Sequence, residues 1–446
     1  MENDAMRGLP AVHRLLEEPN VLAFEPLLGR EVLKQSVHEV LAEARAALAA
    51  GAPFDLPAQI RAALESASQR QLQVVLNGTG VLVHTNLGRA PLARAALDAA
   101  AELGAGYSNL EFELRDGVRG SRYERVSARL ALLFGAQDSL VVNNCAAAML
   151  LLLDTFARGR ECIVARSELV EIGGGFRIPD VLERSGAILV EIGTTNKVHL
   201  GDVERALTAR TSLILRTHRS NFSLEGFVAD IEPRSLAEFA KRVGVMLAED
   251  LGSGAVVDMS EFGLPRERTA RAALEEGASL VAISGDKLFG GPQCGMILGS
   301  AVAIARMRAN PLLRALRVDK VTLAMLDATA RLHENEVTRA RIPLYGMLAA
   351  TLTTLRDRGA QIIARAERGR IVETRATLGG GSLPGATLPS VAIALDGDDA
   401  ESIARALRHG TPPIVARIED GDVLLDLRSL APAFDNVLGD ALRALP

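Results

Sequence analysis

Residues 284–295 read SGDKLFGGPQCG, and the lysine at position 287 decides how the rest of the chain is read. Of the 50 basic residues in this 446-residue sequence, only Lys34, Lys197, Lys241, Lys287 and Lys320 are lysines. Arginine is the usual cation here, so Lys287 points to a need for an amine. An ammonium on a flexible stem loses its proton when desolvated and attacks a carbonyl, which a guanidinium does not do at ordinary pH. The plain alternative is a solvated loop charge beside glycines.

Around this stretch, short apolar runs alternate with amphipathic segments. The runs are SLVVNN from residue 139, ECIVAR from 161, AILVEI from 187, SLILRT from 212, VMLAED from 245, SLVAIS from 279 and GMILG from 295. With helical patterns at Pro233 to Val243 and Glu267 to Glu276, they predict an α/β domain with a mostly parallel sheet covered by helices. Ligands of such sheets gather at the carboxyl ends of the strands. The residues there are Asn143-Asn144, His218-Arg219, Glu249-Asp250 and Ser284 to Lys287.

An aldehyde cofactor such as pyridoxal 5'-phosphate needs an amine, an acid against its ring nitrogen and a phosphate cradle. Lys287 supplies the amine, and Asp250, at the end of its strand, supplies the acid. Ser284, three residues before the lysine, can reach a phosphate. NNCAAAML opens a helix with small residues, so Asn144, Cys145 and Ala146 offer backbone N–H groups and the positive end of a helix dipole. His218 shares the rim. Taken singly, an aspartate at a strand end is often a helix cap and Asn-Asn is often turn chemistry. Their shared rim, in the order phosphate loop, aspartate, lysine, favours the cofactor site.

Arginines form a second group: Arg89 in TNLGRAPL, Arg119 and Arg122 in GVRGSRYER, and Arg314 and Arg317 in LLRALRVDK. Guanidinium forks suit phosphate and similar oxyanions. Arg314 and Arg317 at i,i+3 also fit one solvated helix face, and the residues alone favour that plainer reading.

The organisation expected is a helical module over 1–70, a large α/β domain over 71–340 with 71–137 as its entry segment, and a small α+β domain over 341–446. In the first, PLLGREVLKQSVHEVLAEARAALAAG places Leu28, Val32, Leu33, Val37, Val40, Leu41, Ala44 and Leu48 on one stripe, followed by a short helix around Ile60 to Leu72. VVLNGTGVLVHTNLGRAPL predicts two short strands around Asn77-Gly78 and a helix entered at Pro91. YGMLAATLTTLRDRGAQIIARA reads as helix. With 48% apolar residues the chain can bury a sizeable core, and a net charge of −5 gives no global basic field. MENDAMRGLP lacks an apolar leader and CAAAMLLLL is about half a membrane span, so a soluble, cytoplasmic protein is expected. Cys145, Cys162 and Cys294 form neither a disulfide framework nor a CxxC pair, and the seven histidines are scattered, so no metal site is expected.

These residues bring a family into view. LPAVHRLL, NGTGVLVHTNLGRAPL, YSNLEFELRDGVRGSR, VVNNCAAAMLLLL, SELVEIGGGFRIPDV, EDLGSG, SGDKLFGGPQCGMILG and LLRALRVDKVTLAML resemble the bacterial L-seryl-tRNA(Sec) selenium transferases. The resemblance spans about residues 9–325. It implies a type I, aspartate aminotransferase-like fold and a pyridoxal phosphate enzyme that turns seryl-tRNA(Sec) into selenocysteinyl-tRNA(Sec) with selenophosphate, through a dehydroalanyl intermediate. It makes Lys287 the Schiff-base lysine and places Arg89, Asp286, Arg314 and Arg317 at the selenophosphate site, with Arg119 beside them. Asp286 becomes a candidate proton donor or hydrogen-bond partner. It further implies a ring of dimers, a decamer by resemblance, with a tRNA-gripping N-terminal domain. That module holds seven basic and ten acidic residues over 1–70, so any grip on RNA would work through a few placed cations and shape. Two rivals remain: a pyridoxal phosphate β-eliminating lyase acting on a small phosphorylated substrate, and an inactive scaffold of the same fold.

Overall fold

A computed structural model describes residues 9–173, 175–396 and 399–445. Residues 1–8, on which the absence of a leader was read, lie outside the described residues. The chain divides into two compact units, Met1–Leu76 with Arg405–Ile414 and Asn77–Ala404 with Val415–Pro446.

The first unit is built on α1 (Arg30–Ala49) and α2 (Leu56–Gln69). Leu33, Val37, Val40, Leu41 and Ala44 recur at helical spacing and are buried, joined by Leu15, Leu16, Val21, Leu28, Ile60 and Leu64. Val32, expected in the stripe, is exposed: one residue before Leu33, it sits about 100° round the helix. The second helix starts before Ile60 because Asp55 caps it, accepting from the Ala58 N–H at 3.1 Å, and it ends at Gln69, before Leu72. Leu72 is exposed.

The second unit contains all seven predicted runs as strands: β1 (Asp138–Val142), β2 (Glu161–Ala165), β3 (Ile188–Ile192), β4 (Thr211–Thr217), β5 (Met246–Gly252), β6 (Leu280–Ser284) and β7 (Gly295–Gly299). They form one sheet in the spatial order β1-β7-β6-β5-β4-β2-β3. All run parallel except β7, which is antiparallel to both neighbours. Ten residues, 285–294, separate β6 from β7, too few for the crossover that a parallel partner needs. Between the first two strands runs α4 (Cys145–Phe156), apolar on nearly every side and buried against the sheet, while α3 (Arg94–Ala105) packs on α5 (Lys320–Leu332).

A four-stranded antiparallel sheet follows: β8 (Arg370–Thr377), β9 (Thr387–Leu395), β10 (Arg417–Glu419) and β11 (Asp422–Asp426), in the order β8-β9-β11-β10. The helix expected before it is two, Pro343–Ala349 and α6 (Leu352–Ala366), because Thr351 stays extended and caps the Thr354 N–H. Other expectations are corrected locally. Of VVLNGTGVLVHTNLGRAPL only Leu76–Asn77 forms a strand, Val81 making a single bridge to Thr377, and α3 begins at Arg94 because Ala93 is extended. The helix read from Glu267 starts at Ala270, capped by Thr269, which leaves Glu267 and Arg268 ahead of it. No described helix is long and apolar enough to cross a membrane.

Candidate active site

The turn after β6 fixes Lys287. The Gly285 N–H donates to Cys294 O at 2.9 Å, the Leu288 N–H to Ser253 O at 2.8 Å and the Gly290 N–H to Lys287 O at 2.9 Å. The lysine is buried. A Cβ built on Gly252 would lie 3.6 Å from its Nζ, as would one built on Gly381, so the amine stands between two bare stretches of backbone.

Asp250 comes to the same place from the end of β5, buried. Its Oδ1 accepts from the Cys145 thiol at 3.4 Å, and its carbonyl accepts from the His218 N–H at 2.8 Å, which ties the end of β4 to the end of β5. Cys145 opens α4, whose cap is Asn144: its Oδ1 accepts from the Ala147 N–H at 2.8 Å. Ser284 ends β6, buried, three residues before Lys287. The structure thus brings Lys287, Asp250, Ser284, Asn144, Cys145, Ala146 and His218 to one rim.

The electrostatics are those of a desolvated pocket. Burial raises the Asp250 carboxyl above the usual range, against the opposing pull of the thiol, Lys287 and the Gly252 N–H. Burial, then the Asp250 charge, pushes the Cys145 thiol well up, so it is a donor rather than a thiolate. Burial, with Lys287 and Arg219 adding to it, lowers His218 to about 4, so its imidazole is neutral at physiological pH. Its Nε2 stands 3.6 Å from Oε1 of the buried Glu267, whose carboxyl burial raises while the Ser253 hydroxyl and Lys287 oppose. Glu267 is held by its neighbour: Arg268 forks onto the buried Glu249 at 2.9 and 3.0 Å.

Buried polar atoms without a partner mark where a ligand belongs. Thr217 Oγ1, Ser220 Oγ, Ser382 Oγ and His218 Nε2 are such atoms. Thr217 and His218, with the buried amine of Lys287, the buried carboxylate of Asp250 and the start of α4, fit pyridoxal phosphate.

The arginines fall into two places. Arg89, at φ 65°, donates to Asp286 Oδ2 at 2.6 Å, and Gln293 Nε2 reaches the same oxygen at 3.3 Å. Asp286 lines a cavity of about 570 Å³ with Asn143, Gln293 and Asp319. Arg119, Arg314 and Arg317 line another, of about 410 Å³, with Arg122 and Glu111. There Glu111 accepts from Arg122 at 3.0 Å and from Arg119 at 3.2 Å, with Arg317 3.9 Å away. Arg122, chiefly, holds that carboxyl below its usual range against the effect of burial.

The L-seryl-tRNA selenium transferase family model matches residues 75–431, and the selenocysteine synthase N-terminal model matches residues 6–45. The chain belongs to the L-seryl-tRNA(Sec) selenium transferase family. It is 43% identical over 442 residues to the L-seryl-tRNA(Sec) selenium transferase of Methylocella silvestris, covering 95% of this chain and 94% of that one. The Moorella thermoacetica enzyme of the same name is 42% identical over 455 residues, 98% and 96% of the two chains. Among solved structures, D-glucosaminate-6-phosphate ammonia-lyase superposes with a TM-score of 0.60 at 19% identity, over 83% of this chain and 95% of that one. That likeness is one of fold, and with the sheet described above it bears out the type I, aspartate aminotransferase-like class.

For this selenium transferase family member, the strand-end rule brought Lys287, Asp250, Ser284 and Asn144 to one rim but missed Ser220, Glu267 and Gly381 beside them. Gly381 comes from the far tail, and its one signal was the glycine run of TLGGGSLPG, residues 377–385. Glu267 carried none.

Proposed function

We infer that the protein converts L-seryl-tRNA(Sec) to L-selenocysteinyl-tRNA(Sec) with pyridoxal phosphate on Lys287. Full-length identity above 40% to two transferases carries the reaction; the buried Lys287 amine beside the buried Asp250 carries the site. The lyase alternative is not favoured, since the lyase likeness is 19% identical and shows fold alone. A buried amine paired with a buried acid also speaks against an inactive scaffold.

Bound here, pyridoxal phosphate supplies an electron sink for negative charge at Cα. Lys287 would hold it and, once displaced by the substrate amine, take the Cα proton and later return it. Asp250 would keep a proton on the ring nitrogen. Ser284 and the N–H groups from Asn144 to Ala146 would hold the phosphate, and neutral His218 would lie along the ring. We place the selenophosphate oxyanion with Arg89, Arg314, Arg317 and Arg119, two groups that stand at separate cavities of one chain and would be joined across the dimer interface, with Asp286, hydrogen-bonded to Arg89, as its hydrogen-bond partner or proton donor. The helical module before residue 70 is proposed to grip the tRNA, and copies of the chain to assemble as a ring of dimers, a decamer.

The test is conversion of seryl-tRNA(Sec) by purified, cofactor-loaded protein with selenophosphate, expected to yield selenocysteinyl-tRNA. Loaded protein that releases no such product overturns the reading. Loss of the tRNA gel shift on deleting residues 1–70 supports the head's role, and sedimentation measures the ring.

A further inference from the structure

Beside Lys287 Nζ lies a small polar space that none of these roles uses. One wall is the turn of Gly379, Gly380 and Gly381, with φ of 70°, 62° and 74°. The first two are packed shut: a Cβ on Gly379 would overlap Val81, and one on Gly380 would come within 2.6 Å of Val83 Cγ1. The Val83 N–H donates to Leu378 O at 2.7 Å and fixes the turn there. At Gly381 a Cβ would meet Ser220 Oγ at 3.4 Å and Lys287 Nζ at 3.6 Å. The absent side chain therefore leaves room between a hydroxyl and the amine. Ser220 is 3% exposed and Ser382 2%, and neither hydroxyl has a partner.

Besides Lys287 itself, whose amine is given up when the substrate amine takes its place, most charges nearby do not favour an anion. Asp250 and Glu267 both feel Lys287, and His218 is neutral above about pH 4. Arg219 is committed to Asp230 through Nη2, although its Nη1 has no partner.

A substrate amine that takes the place of Nζ brings its carbonyl carbon to roughly 2.5 Å from that nitrogen, by ordinary bond lengths and angles. The acyl group must then enter this space. Two neutral hydroxyls can satisfy an ester carbonyl, whereas a desolvated carboxylate needs a cation or several charge-assisted bonds. We propose that Gly381, Ser220 and Ser382 form an acyl subsite that accepts esterified serine and rejects the free α-carboxylate, so that the protein ignores free L-serine. The proposal rests on Lys287 being the cofactor lysine.

The experiment titrates cofactor-loaded protein with L-serine methyl ester and with L-serine, following the cofactor absorbance to obtain a Kd for each. Turnover of seryl-tRNA(Sec) is measured separately. The ester is expected to bind at least about tenfold more tightly, the scale of one lost charge-compensating contact. Ser220→Ala with Ser382→Ala should bring the two constants to within about threefold, on the same scale, while the cofactor still loads. Gly381→Ala should weaken the ester. Free serine binding as tightly as the ester, or a ratio unmoved by the two serine substitutions, overturns the proposal. So does serine binding that Arg219→Ala abolishes, since that would make the space a carboxylate site. Ester preference in a protein that fails to convert seryl-tRNA(Sec) would overturn the proposed reaction and leave the subsite standing.

Discussion

The thiol of Cys145 donates to Oδ1 of Asp250 across 3.4 Å, joining the first residue of α4 to the end of β5. The sequence alone offered only the backbone N–H of Cys145 at a helix start. In the structure the thiol, its own ionisation suppressed by burial, helps keep a buried carboxylate charged.

Removing that donor should therefore shift Asp250 further up. Cys145→Ala is expected to move the acid limb of kcat/KM to higher pH by about half a unit to one unit, the equivalent of one hydrogen bond. Cys145→Ser keeps a donor and should leave the limb near its original place. A pH profile that is the same for all three proteins would show that the thiol is only packing.

Asp250→Asn separates stability from catalysis. Because burial raises the carboxyl, its ionised form at neutral pH destabilises the cofactor-free protein, and the amide removes that penalty. Denaturant midpoints of cofactor-free protein should rise at pH 7, while kcat should fall by about 10²-fold or more through loss of the ring-nitrogen partner. A fall in stability would mean that Lys287 and the thiol outweigh the burial.

Lys287→Arg preserves charge and much of the volume, yet a guanidinium forms no imine. Transferase activity should drop to background, and borohydride should fix no cofactor to the protein. Retained labelling would place the reactive amine at another lysine.

Much of this is legible in the sequence. The seven strands appear at the seven apolar runs because each is bounded by polar or glycine residues and flanked by helical spacing. One rim rule then located Asp250, Ser284 and Lys287. What stayed hidden depended on contacts distant in sequence. Gly381 meets Ser220 and Lys287 only after the antiparallel sheet folds back, and Glu267 reaches His218 only because Arg268 is clamped by Glu249. Arg119, Arg314 and Arg317 look alike in sequence to Arg89, yet in this chain they line a cavity around Glu111 while Arg89 pairs with Asp286.

The Arg268 clamp can be tested by stability alone. Glu249 is 3% exposed, so Arg268→Ala leaves a buried carboxylate uncompensated and should destabilise by about 3–5 kcal/mol. Replacing the buried pair, Glu249→Leu with Arg268→Met, leaves only the part-exposed Glu276, which Arg268 also pairs with, and should recover most of that loss in denaturant unfolding. If the double replacement is no better than the single, the fork contributes position as well as compensation.

Glu168 is 5% exposed and accepts from the Thr217 N–H at 3.0 Å, with Arg216 Nε at 3.7 Å. Burial raises it to about 7 despite Arg216, the Thr217 N–H and Arg219. The folded protein thus holds this proton up to about pH 7, whereas the unfolded chain releases it near the ordinary carboxylate value. Between those two pH values the folded state binds more protons, so the Glu168 contribution to stability falls as pH rises and stays low above 7. Glu168→Gln mimics the protonated form and keeps an acceptor for Thr217. Its stability relative to the parent should be unchanged at pH 4.5 and should rise by up to about 3 kcal/mol at pH 8, the value of a shift of some two and a half units. Denaturant unfolding of both proteins across that range measures it. A difference that is flat with pH would mean that Arg216 and Arg219 hold the carboxylate ionised throughout.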